Sequence, residues 1–161
     1  MRISSLLKRQ NILCRVQCQS RKRALQLAAE SVAENDPDQD GLVADEVFAG
    51  LIERERLGST GLGFGVAIPH CRMPCQAIHA TFMSLAGPVD YEAMDNEHVD
   101  LLFVLVVPNS ETHAHLYLIA ELATFFNSAE NRSALRKCDN ADAVMRCFER
   151  METASPNVKR A

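Results

Sequence analysis

Three glycines at alternate positions, Gly61, Gly63 and Gly65, lie within the stretch LGSTGLGFGVAIPHCRMP at residues 57–74 and constrain this chain more than any other feature. In an extended segment successive side chains point to opposite faces, so the alternation leaves one face bare and puts Leu62, Phe64 and Val66 on the other. Glycine weakens a strand through backbone entropy and lost packing, so three in register suggest space wanted for another backbone, a ligand or a partner. Pro69 fixes φ and removes an N–H just before His70, and strand pairing is expected to end there with His70 at the strand's end. Spacing alone leaves two readings open: a tight packing site followed by a surface histidine, or a bare backbone approach to a functional His70.

At 161 residues the chain has the length of one domain and can bury roughly 70% of its unfolded surface. The formal net charge of -4 gives no support for non-specific nucleic-acid binding. The longest clearly apolar run, Leu101 to Val107, is far short of the ~20 residues of a membrane helix, and the basic N-terminus lacks an apolar signal core. No membrane insertion and a cytoplasmic location are expected.

Along the chain, residues 2–9 form a short amphipathic piece and Ile12 to Val16 a small edge strand. Ser20 is placed to cap a helix from Arg21 to Glu34 that stops at Asn35. Arg21, Lys22 and Arg23 crowd its first turn, where the helix dipole prefers anions; they read either as a solvated basic face or as cations held for another use. A polar loop from Asn35 to Gly41 precedes a helix from Leu42 to Leu57 with Val47, Phe48, Leu51 and Ile52 inward. Residues 79–86 alternate as a strand, Gly87-Pro88 reads as a turn and Val89 to Tyr91 as a brief strand before a turn at Asp95-Asn96. Val99 to Val107, apolar nearly throughout and bounded by Pro108, reads as a central strand needing helices over both faces. Leu116, Ile119, Ala120, Ala123 and Phe126 mark a helix from Thr112 to Asn127, with further helices over Asn131 to Lys137 and Ala141 to Met151. Residues 1–152 thus form one α/β domain, and 153–161 a polar, disordered tail.

Six cysteines, at positions 14, 18, 71, 75, 138 and 147, are expected as free thiols, because the core is large enough to need no staples. His70, Cys71, Cys75 and His79 are ligand types that zinc accepts, but Pro69 and Pro74 interrupt the helix on which their four-residue steps would share a face. No metal and no cofactor are expected.

Three stretches carry a family resemblance: QSRKRAL at 19–25, RERLGSTGLGFGVAIPH at 54–70, and DNEHVDLLFVLVVPNSETHAHL at 95–116. Together they resemble the mannitol/fructose class of enzyme IIA proteins of the bacterial phosphoenolpyruvate-dependent phosphotransferase system, over Ile3 to Glu152. The first points to the nitrogen-regulatory branch. The resemblance implies a mixed sheet flanked by helices on both sides, His70 as phosphoryl acceptor, His115 as a hydrogen-bond donor to the phosphoryl group, and Arg54 as a stabilising charge. It implies phosphate supplied by the carrier HPr or its counterpart NPr, and a target such as a potassium transporter, a sensor kinase or the nitrogen-linked transcription machinery. A sugar-transport enzyme IIA, serving a fructose or mannitol permease subunit, is the alternative; a non-catalytic interaction module is the second. Phosphoryl transfer asks for an in-line nucleophile, positive groups around the oxygens and little else, and neutral imidazole suits it. One ring nitrogen of His70 would attack while the other donates to a carbonyl or carboxylate. His113, His79 and His98 are read as surface, strand or turn residues.

Overall fold

The computed structural model describes residues 2–110 and 113–154. Short 3-10 turns at Ile3–Leu6 and Arg9–Asn11 bury Ile3 and Leu7 and lead into β1 (Ile12–Val16). There follow α1 (Arg21–Glu34), α2 (Ala44–Arg56), β2 (Gly61–Gly63), β3 (Val66–Ala67), β4 (His70–Met73), β5 (His79–Val89), β6 (Val99–Pro108), α3 (Ala114–Phe126), α4 (Ala129–Lys137) and α5 (Ala141–Ala154). The Ser20 side chain accepts from the Arg23 N–H and Asn35 ends α1, as its cap chemistry dictates.

The sheet runs β1-β5-β6-β3-β2, with β4 also on β6. β6, buried along almost its whole length, is the central strand; β5 pairs with it antiparallel, β3 and β4 parallel. One face packs Ala28, Val32, Val47 and Leu51 of α1 and α2 against Met83, Leu102 and Val104. The other packs Leu118, Leu122, Phe126 and Phe148 of α3 and α5 against Phe82, Phe103 and Leu105. Phe148 makes ring contacts with Phe82, Phe103, Phe125 and Phe126. A mixed sheet between two helical layers results, as expected from a strand apolar on both sides.

Several local expectations are corrected. The alternating glycines do not form one extended strand: β2 folds back antiparallel on β3 through a turn in which Gly63, Phe64 and Gly65 all have positive φ. Gly65 needs its φ of +81, and a Cβ there would meet the Arg136 guanidinium at 2.5 Å. At Gly61 a Cβ would lie 2.8 Å from that of Ala93, so the bare backbone makes room for the 90s loop. β3 and β4 keep one register against β6, Val66 opposite Leu101 and His70 opposite Leu105, so Pro69 interrupts the ladder without shifting it and His70 opens β4 instead of ending a strand. β5 continues through Gly87-Pro88 to Val89 with no turn, and Tyr91 sits in the following loop. In α3 the inward stripe is Leu118, Leu122, Phe125 and Phe126 with His115, and Ile119 packs at its border; of the expected stripe Phe126 and Ile119 hold, whereas Leu116 is 55% exposed, so the expected face was turned part of the way round the helix. The expected start of that helix at Thr112 and most of the tail, residues 155–161, lie outside the described residues. Thr153 and Ala154, expected in the tail, belong to α5.

Candidate functional site

His70 is held by its own chain. Its Nδ1 lies 2.8 Å from the carbonyl oxygen of Ile68, and since a carbonyl only accepts, the ring proton is on Nδ1 and the Nε2 lone pair is left available. That carbonyl is available for a reason. Thr60 lies opposite Ile68 across the β2–β3 pair and accepts the Ile68 N–H at 3.0 Å. In a regular narrow pair Thr60 would donate back to the Ile68 carbonyl. Instead its N–H goes to Glu55 Oε1 at 3.1 Å, at the end of α2. Glu55 is buried, also accepts from the Tyr91 hydroxyl at 3.1 Å, and lies 3.9 Å from Arg21.

Arg21 donates to the Tyr91 carbonyl at 3.2 Å and to Glu92 at 2.7 Å, with its guanidinium over the Tyr91 ring. The use of this first-turn cation is therefore structural: it pins the 90s loop over the Glu55 cluster.

Half-buried His70 has its pKa held below the ordinary 6.5. Burial is the main cause; the Ile68 carbonyl opposes it, the Arg54 charge reinforces it and Glu55 opposes it. Arg54 donates to the Gly58 carbonyl at 2.9 Å at the end of α2, so its charge reaches His70 from a side chain engaged in closing the helix.

Strand alternation puts His70 and Arg72 on one face of β4, while Cys71 and Met73 pack towards α1 and α2. Arg72 donates through Nη2 to Nε2 of buried His115 at 3.3 Å. Arg72 was missed in the sequence; the i, i+2 spacing from His70 marks it only once β4 is known to start at His70. The structure brings His115 to Arg72, on the face that carries His70. In this arrangement His115 Nε2 accepts, so the cationic donor beside it is the guanidinium. His98 and His113 are exposed.

The quartet His70, Cys71, Cys75 and His79 does not assemble: His70 is committed to Ile68, and the Cys71 thiol points to the Val47 carbonyl beside Gly50. Cys75 and His79 come together with Asp40 instead. All six thiols are free, those of Cys138 and Cys147 lying 3.6 Å apart. No described helix is long and apolar enough to cross a membrane.

The family model described as "Phosphoenolpyruvate-dependent sugar phosphotransferase system, EIIA 2" matches residues 5–151. A nitrogen regulatory protein of Pseudomonas aeruginosa is 44% identical over 126 residues, 78% of this chain and 80% of that protein. A nitrogen regulatory protein homolog of Haemophilus influenzae is 35% identical over 166 residues, 99% of each. Among solved structures, the nitrogen regulatory protein IIA-Ntr of Neisseria meningitidis superposes with a TM-score of 0.84 at 33% identity, covering 91% of this chain and 98% of that one.

Proposed function

The chain belongs to the EIIA 2 family of the phosphoenolpyruvate-dependent sugar phosphotransferase system, and from that premise we propose that residues 1–152 act as one cytoplasmic phosphohistidine relay domain of its nitrogen-regulatory branch. His70 takes the phosphoryl group from a carrier of the HPr or NPr kind. The phosphorylated and free forms then act differently on a target such as a potassium transporter or a sensor kinase.

The observation that carries the reading is the bond from His70 Nδ1–H to the Ile68 carbonyl, which leaves Nε2 as the nucleophile. The Nε2 lone pair forms the new bond to phosphorus; the bond from phosphorus to the carrier's histidine breaks and its electron pair returns to the carrier. Nδ1 keeps its proton, and the positive charge the ring acquires is met by the Ile68 carbonyl. Arg72 and Arg54 offset the charge on the phosphoryl oxygens, with His115 orienting Arg72. Exposed Leu116 and Tyr117 follow His115 on α3 and give a protein donor an apolar surface to dock on.

Incubation with phosphoenolpyruvate, enzyme I and the carrier should add one acid-labile phosphate, and His70→Ala should abolish it; labelling that survives the substitution overturns the assignment. Retention of that phosphate in the presence of a fructose or mannitol permease subunit supports the regulatory branch, and its rapid discharge overturns it.

A further inference from the structure

The loop between α1 and α2 and the link between β4 and β5 meet at four side chains that phosphoryl transfer does not use: Asp36, Asp40, Cys75 and His79. His79 Nε2 lies 2.8 Å from Asp40 Oδ2 and 3.9 Å from Asp36 Oδ1. Ligand atoms of Asp40, Cys75 and His79 all fall within 4.8 Å of one another. The side chains of Asp36, Asp40 and His79 are only 9%, 5% and 4% exposed. We propose that these residues form a binding site for one divalent transition-metal cation of zinc-like softness, which fastens the α1–α2 loop to the sheet.

Two independent observations point to a ligand here. The first is the donor set: one imidazole nitrogen, one sulfur and one carboxylate, all of types zinc accepts, meet on residues brought together only by the fold, and the Asp36 carboxylate, 3.9 Å from His79, stands outside that group as the fourth ligand to be drawn in. The second is Asp36 Oδ1, screened from solvent and accepting no hydrogen bond, although it faces the cluster. A buried carboxylate oxygen left in that condition is costly, and a cation satisfies it.

The carboxylates are already oriented. Asp40 accepts from the Gln76 and Ala77 N–H groups, and Asp36 Oδ2 accepts from Gly41 N–H at 2.9 Å and Leu42 N–H at 3.3 Å. Such outer hydrogen bonds fix ligand direction at metal centres. Two ligands on a tetrahedral zinc lie about 3.3 Å apart, so Asp40 and His79 need to part by roughly 0.5 Å. Burial, together with Asp40 and Asp36, pushes the Cys75 thiol up to about 11, so without a cation it is protonated. Binding expels that proton to solvent and forms the metal–sulfur bond, with no change of oxidation state. The hydrogen bond from His79 Nε2–H to Asp40 gives way to two metal–ligand bonds: Nε2 releases its proton to solvent while Nδ1 takes one up, so the ring ligates as neutral imidazole.

The probes are zinc and cobalt(II) alone, added to purified, metal-stripped protein. Equilibrium dialysis should retain one zinc per chain, and Cys75→Ser and Asp36→Asn should each weaken binding at least tenfold. Cys71→Ser, whose thiol packs against α2, should leave affinity unchanged. The cobalt(II) complex of the wild type should show a thiolate-to-metal charge-transfer band and intense tetrahedral visible bands, which reads sulfur ligation even if a variant fails to fold. Failure to retain stoichiometric zinc, affinity unaltered by Cys75→Ser, or a cobalt spectrum without the thiolate band each overturns the site.

Discussion

At the scale of single residues, the two histidines of the site stand in different hydrogen-bonding states, which sets their roles apart. His70 donates from Nδ1 and keeps Nε2 open; His115 accepts at Nε2 from Arg72. A group that forms the covalent bond has no substitute, whereas a group that orients a cation contributes only part of the transition-state stabilisation, about 2.7–4 kcal/mol by comparison with loss of one oxyanion donor. His115→Ala should therefore slow transfer from the phosphorylated carrier by roughly a hundred- to a thousandfold and leave a measurable rate. In the proposed arrangement His115 acts through Arg72, so the double variant with Arg72→Ala should be little slower than the worse single one. Rapid-quench rates in which the two losses multiply would show that they act separately. The sequence pointed to His70, His115 and Arg54 through the motifs around them. Arg72 was not, because its role depends on which face of β4 it occupies.

At the scale of elements, the end of α2 sets the state of His70 through backbone hydrogen bonds. The Glu55 carboxylate accepts from the Thr60 N–H that a regular β2–β3 pair would give to Ile68, and the freed carbonyl accepts the hydrogen bond from His70 Nδ1–H. Glu55→Ala removes the acceptor of the Thr60 N–H in the interior and leaves the Tyr91 hydroxyl with Thr60 Oγ1 as its remaining side-chain partner, and should lower stability in urea by about 2–3 kcal/mol. It should also move a titration. The His70 pKa already lies below 6.5, so neutral, nucleophilic imidazole dominates above that pH and transfer declines as pH falls through the folded value. Both Glu55 and the Ile68 carbonyl raise that pKa, so loss of the charge, and of the carbonyl if Thr60 reclaims it, shifts the acid limb to lower pH. A pH–rate profile with an unmoved limb would reduce Glu55 to a packing role. The helices were legible from capping and period, as at Ser20 and Asn35. The glycine turn was not: glycines two apart fit both an extended strand and a hairpin of very short strands, and the positive φ at Gly63, Phe64 and Gly65, with Arg136 filling the space a Gly65 Cβ would need, is set by tertiary contacts.

At the scale of the whole molecule, the sheet keeps two apolar layers apart, and the aromatic one on the α3–α5 side is concentrated on Phe148. Phe148→Ala should cost about 3–5 kcal/mol of unfolding free energy, measured by urea denaturation, while the Glu55 network on the other layer keeps its contacts. The architecture was legible because a strand as apolar as β6 can only sit between two layers. The face of α3 was legible only in part: Phe126 lies inward as expected, but Leu116 carries no mark in sequence that tells surface from core. One further feature spans the molecule. The Glu152 carboxylate near the end of α5 accepts the N–H groups of Ile3 and Ser4, so residues 149 positions apart in sequence are bonded neighbours. In topology the described chain is therefore almost a ring. A short bridge across that contact and a cut at the exposed 94–97 loop would give a circular permutant whose elements come in a new order around the same two layers, and with the same surroundings for His70.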